Sequence, residues 1–195
     1  MRTEFDQEFV GAGAGVSTVG GPLGTVRNDV VEFYPTGRVL LSDLSLSGGF
    51  AYQGFDDDAE DFQAASGGGF AAYAGEIGLV RVAVVDNSSD IGGGGVLDTL
   101  DADPTHGAVV TVVGGEFLRN TAQFGGGAVA LLGPGTLVLE EVDMGTPGLD
   151  DNSPDDIAFY ARRPGPGEVP GDPLASYSFD GVVSVTCAWE TLTCE

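Results

Sequence analysis

The sequence predicts an all-β fold, a parallel β-helix in which short strands stack layer upon layer. Two observations carry this, and a third excludes a competitor. Gly-rich openings begin at Gly67, Gly92 and Gly125, and a matching apolar restart at Ile157 closes the series, giving steps of 25, 33 and 32 residues. Self-similarity at roughly 20 to 50 residues is the mark of stacked repeats. Within each step the order is the same: strand, bend with Asn or Asp, Gly-rich opening, strand. No segment keeps a helical period without Gly interruption, which disfavours a β/α horseshoe. An antiparallel β-sandwich also has short strands and turns, but it explains the recurring glycine triplets less well.

The chain divides into three regions. Residues 1–29 are Gly-rich with short apolar pieces and read as an irregular N-terminal edge or partial coil. Residues 30–161 form the parallel β-helix. Its strand signals are Val30–Tyr34, Arg38–Leu46, Gly78–Val85, Val109–Val113, Thr136–Met144 and Ile157–Tyr160. Val80, Val82 and Val84 alternate with Arg81 and Ala83, the period of a half-buried strand. The alternation of Leu137 and Leu139 slips by one at Glu140-Glu141 before Val142 and Met144, which predicts a corner or bulge there. Residues 162–195 are a Pro/Gly loop followed by capping strands at Tyr177–Phe179 and Val182–Thr186.

At 195 residues the chain can bury a core. Its charge is unusual: seven Arg, no Lys and 30 acidic residues leave a net charge of -23. Such a surface repels phosphate backbones and anionic lipid, so nucleic acid is excluded as a partner. Solvation is the simplest role for the charge. No stretch approaches the ~20 apolar residues of a transmembrane helix, and Met1–Asp6 shows no basic head leading into an apolar run. Cys187 and Cys194 are an even pair in a compact terminal segment, favouring a local disulfide and an oxidising compartment over two free thiols.

The most informative stretch is Phe117–Val129. Phe117 and Val129 supply core, Asn120 the bend, and Gly126 and Gly127 the tight return into Ala128. Glycine tolerates positive φ and close backbone approach. An Asn at a bend can adopt the left-handed region, and stacked Asn amides can bond from layer to layer. Asn87 followed by Gly93 and Gly94 is a looser copy.

Phe117-x-x-Asn120 with Gly126-Gly127-Ala128-Val129 resembles the paired FxxN and GGA(I/L/V) signatures of chlamydial polymorphic-outer-membrane-protein repeats and related bacterial secreted proteins. Over about residues 60–195 the resemblance implies a single-stranded right-handed parallel β-helix (solenoid) with a Cys-bearing C-terminal cap. It also implies an extracellular or outer-surface location. It implies no reaction.

Residues able to carry chemistry are sparse. His106 is the only histidine, so a nucleophilic triad or a zinc centre lacks its ligands. The absence of Lys excludes a Walker-type loop. Calcium is the one ligand the sequence offers, through Asp150, Asp151, Asp155 and Asp156, or through the run Asp56–Asp61. Neither has EF-hand or RTX spacing, and turn formation by Asp151, Asn152 and Asp155 competes with metal binding. Asn87-Ser88-Ser89 matches a glycosylation acceptor. The expected function is a non-catalytic, exported structural or adhesion module meeting a surface glycan or protein, with no cofactor beyond that calcium. The alternative is a carbohydrate-active β-helix enzyme or carbohydrate-binding module, disfavoured because the acids are expected in loops rather than strands.

Overall fold

The computed structural model describes residues 7–13, 18–20, 26–27, 30–33, 37–51, 67–99, 107–161 and 171–195. Among the described residues the regular elements are all strands. The first layer holds β1 (Gln7–Val10), β2 (Thr18–Gly20), β3 (Val26–Arg27) and β4 (Val31–Phe33). The second holds β5 (Arg38–Ser42), β6 (Ser45–Ser47), β7 (Gly49–Ala51) and β8 (Phe70–Ala72), and the third β9 (Gly75–Val80), β10 (Ala83–Val85), β11 (Ser88–Ile91) and β12 (Gly95–Asp98). The fourth holds β13 (Ala108–Val113), β14 (Glu116–Leu118), β15 (Thr121–Gly125) and β16 (Val129–Leu132). The last contains β17 (Gly135–Asp143) and β18 (Ile157–Tyr160), followed by β19 (Ala175–Tyr177), β20 (Val182–Ala188) and β21 (Thr193–Cys194).

From β1 to β13, each strand pairs in parallel with the strand four places later. The run β1-β5-β9-β13-β17 makes one column, β2-β6-β10-β14 a second, β3-β7-β11-β15 a third and β4-β8-β12-β16-β18 a fourth. β17 is long enough to bridge the first two columns, pairing with β13 along its first half and meeting β14 at Glu116 and Asp143. Within residues 1–29, the described strands β1, β2 and β3 pair with β5, β6 and β7 as a first layer.

Register places like residues over like. Val39, Ile77, Val110 and Leu137 form one inward row, and Leu41, Leu79, Val112 and Leu139 the next. All eight are buried, at 8% exposure or less. Leu46, Val84 and Phe117 continue the core through the second column. The Phe70 ring packs against Phe33 and Phe117, with centroids 6.5 and 6.4 Å away. Burying Phe117 fully is worth about 2–3 kcal/mol.

Two expected strands are each broken by a corner. Arg38–Leu46 divides at Asp43 (φ 57°), and Gly78–Val85 divides at Arg81 (φ 52°). Val80 is thus half-buried before the corner and Ala83 buried after it, so the simple alternation across 80–84 does not hold. The same corner recurs at Gly114 (φ 58°) and Glu141 (φ 55°), the site of the alternation slip. The cap strand β20 pairs antiparallel on both sides of that slip, which keeps β17 one continuous strand.

The cap supplies the next layer of core. Val183, Val185 and Cys187 of β20 sit opposite Val142, Leu139 and Leu137, while β19 runs antiparallel along β18. Trp189 Nε1 donates to the Tyr160 carbonyl at 3.0 Å, and the Tyr177 hydroxyl donates to the Leu192 carbonyl at 3.0 Å. Cys187 and Cys194 are disulfide-bonded across the β20–β21 pair, seven residues apart. Closing so short a loop is worth about 2–3 kcal/mol. Replacing both cysteines by Ser is expected to lower unfolding stability by that amount in urea titration. The loss should appear first as earlier exposure of Trp189 by fluorescence.

Candidate functional site

Among the described residues, the most densely connected polar site is a ladder of buried side chains between the second and third columns. Asn87, Asn120 and Asn152 are at most 3% exposed and lie one layer apart. Asn87 Nδ2 and its main-chain N–H both donate to Asn120 Oδ1, at 3.0 and 3.1 Å. Asn120 Nδ2 and N–H repeat the pattern to Asn152 Oδ1, at 3.0 and 3.2 Å. The second amide proton of each Asn goes to a carbonyl: Leu46 for Asn87, Val84 for Asn120 and Phe117 for Asn152, the last also reaching Met144. At the other end, Gly49 N–H donates to Asn87 Oδ1 at 3.0 Å.

This accounts for Phe117-x-x-Asn120 atom by atom. The Phe117 ring fills the core, its carbonyl accepts from the next rung, and Asn120 forms the rung of its own layer. The positive φ expected of the asparagines belongs instead to the residues before two of them, Asp86 (φ 56°) and Arg119 (φ 55°). The Asn amide must point inward to stack, so the preceding outward residue makes the turn. Gly126 (φ 70°) turns the chain on the far side of the fourth layer. Gly94 serves by closeness: a Cβ there would lie 2.5 Å from the Ala128 carbonyl oxygen and 3.0 Å from the Phe117 ring. Gly93 N–H donates to the Gly126 carbonyl, Gly94 N–H to that of Gly127, and Ala128 N–H to that of Asp156. The acceptor nitrogen of the Asn87-Ser88-Ser89 motif is committed to the ladder, so the folded chain cannot be glycosylated there.

The ladder ends on acid. Asn152 Nδ2 also donates to Asp156 Oδ1 at 2.9 Å, and Asp156 Oδ2 accepts from the Phe179 N–H of the cap at 2.6 Å. Asp156 is fully buried. Burial pushes its carboxyl up to about 6, against the pull of those two donors and with a further push from Asp151 and Asp155. The Asp155 carboxyl is also raised by burial, opposed by the Gly126 N–H and the Ser176 hydroxyl. The Tyr160 hydroxyl is raised by burial and by the charges of Asp155 and Asp172.

The four candidate calcium ligands are thus engaged separately. Asp150 Oδ1 accepts from Thr146 N–H, Asp151 Oδ1 from Asn152 N–H, and Asp155 Oδ1 from Gly126 N–H. Among the described residues no three acidic, His or Cys side chains converge as a metal centre requires. The run Asp56–Asp61 and His106 lie outside the described residues.

Outside, ion pairs echo the ladder. Arg81 grips Asp43 through Nε and Nη2, both at 2.6 Å, and Arg119 grips Asp86 at 2.7 and 2.9 Å. Each pair joins corner residues of adjacent layers. The Arg81 hydrogen bond lowers the Asp43 carboxyl, and the Asp86 bond raises the Arg119 guanidinium. The expectation that acids avoid strands fails: Asp90 in β11 and Asp98 in β12 are buried at 6% and 1% exposure, and Glu76, Glu116 and Glu140 also lie in strands. No protein-family profile, characterised protein or solved structure matches this chain.

Asn120→Ala should cost about 3–5 kcal/mol, because it strands donors of Asn87 and an acceptor of Asn152 inside the core. Arg81→Ala, at an exposed pair, should cost far less. Parallel urea titrations of the two variants check both expectations.

Proposed function

We propose that this chain is a right-handed parallel β-helix acting as a non-catalytic, exported structural or adhesion module. The observation that carries this reading is the use made of the motif residues. Phe117, Asn120, Gly126, Gly127 and Ala128, with Asn87, Gly93 and Gly94, act in stacking one layer on the next. The FxxN and GGA resemblance fits that use, since both motifs have a structural task. The disulfide supports an oxidising, extracellular setting. The described residues contain no helix long and apolar enough to cross a membrane. A net charge of -23 directs partners away from nucleic acid and toward neutral surface glycans or proteins.

The carbohydrate-active alternative draws on one observation, the two strand carboxylates Asp90 and Asp98. Glycoside chemistry uses two close carboxylates, and these two lie on consecutive strands that belong to different sheets. Arg81 and Arg119 do not join them, being held at the outer corners by Asp43 and Asp86.

Two measurements separate these readings. A glycan array read with and without Ca²⁺ is expected to give Ca²⁺-independent signals or none, and a strictly Ca²⁺-dependent signal would restore the Asp150–Asp156 segment as a metal site. Incubation with neutral and uronic polysaccharides is expected to release no reducing ends or unsaturated products. Turnover by the wild type that vanishes in Asp98→Asn would overturn the non-catalytic reading.

A further inference from the structure

The two ends of the stack are finished differently. At the cap, Val185 and Cys187 of β20 lie over Leu139 and Leu137. At the first layer the inward rows run out uncovered. Phe9 is stacked on Leu41 and Val19 on Leu46. Phe9 and Val19 are 55% and 40% exposed, whereas Leu41 and Leu46 are 4% and 0% exposed. Among the described residues, β1, β2, β3 and β4 each have a strand neighbour on one side only. The layer is nevertheless fastened in place: Gly11 and Gly13 donate main-chain N–H bonds to the Ser42 and Asp43 carbonyls at 2.8 and 2.7 Å. A formed strand edge with apolar core residues open beside it is a template for another strand.

Three features identify what fits it. Phe9–Val26 contains no ionisable side chain. In a chain of net charge -23, this stretch can meet its own copy without direct like-charge contacts. The first column already accepts an antiparallel neighbour, since β17 takes β20. A twofold axis would set β1 antiparallel to the β1 of a second copy in the same way. Size agrees as well. The fourth layer runs from Ala108 to Leu132, about 25 residues, and a standard interface engages about 20–30 residues a side. The cap end offers no equivalent face, because its core rows are already covered, so the contact joins like to like and closes as a pair.

We propose that the first layer is a self-association face, through which two copies of this chain join first layer to first layer about a twofold axis. Phe9 and Val19 of each copy lose their exposure against the partner copy, and β1 pairs with β1 across the axis.

Sedimentation velocity of the full chain tests this. The wild type should reach twice the mass of one chain by about 100 μM, more readily in about 0.5 M NaCl, which screens the repulsion between the two acidic bodies. Phe9→Glu combined with Val19→Glu should raise the dissociation constant at least about 100-fold. Val182→Glu, at the opposite end and also at an exposed site, should leave it unchanged. A wild type that stays at the mass of one chain at both salt concentrations would overturn the proposal, and so would a dimer that the double variant retains. Mass that keeps growing beyond two chains would sink it too, because twofold closure stops at a pair. If the double variant does not fold, hydrogen exchange of the wild type decides. Protection of Gln7–Val10 should rise at least about tenfold between about 1 and 100 μM, with β13 as internal reference. Protection that does not change with concentration overturns the pairing.

Discussion

The structure depends on one interaction, the direct bond from the amide of one buried asparagine to the amide of the next. A primary amide is both donor and acceptor, so identical side chains can satisfy each other along a column without a second residue type. Asn87, Asn120 and Asn152 do this while also taking up main-chain groups that would otherwise be left unpaired in the core. Leaving such groups unmet costs about 1–3 kcal/mol each. The ladder therefore penalises any slip that would separate its rungs, and corners and glycine returns must keep step with it. The turn at Asp86 and Arg119 and the close approach at Gly94 are consequences of that demand.

Electrostatics follows a different rule. With seven Arg against 30 acids, cations are scarce. Arg81 and Arg119 sit at corners where two layers meet and the backbone is already turned to positive φ. Non-glycine residues there cost roughly 1–2 kcal/mol, and a two-pronged contact to the neighbouring corner offsets part of it. Inside, among the described residues, no Arg pairs with Asp156. Neutral amides and main-chain N–H groups take the place of countercharge, and the carboxyl responds by holding its proton to higher pH.

Much of this was legible in the sequence. The layered all-β plan followed from the Gly67, Gly92 and Gly125 openings, and the cap and its disulfide from the terminal cysteines. The corner at Glu140-Glu141 announced itself as a broken alternation. The corners at Asp43 and Arg81 did not, because apolar residues on both sides kept the period nearly intact. The third column was also hidden: Ser88–Ile91 and Thr121–Gly125 are polar or small and lack the β-branched pattern that marks a strand. Asn152 read as a turn residue, since its rung partner lies 32 residues away. Asp156 read as one acid among several, because burial cannot be seen in an acidic run.

The antiparallel course of β20 has a consequence for assembly. A stack of parallel strands can in principle lengthen indefinitely, each layer templating the next. At its C-terminal face the added strand reverses direction, fills the core rows with Val183, Val185 and Cys187, and leaves on its outer side only the two-residue strand β21. A newcomer in parallel register would meet a strand of opposite course there, so the parallel templating that links the earlier layers of this column is interrupted at β20.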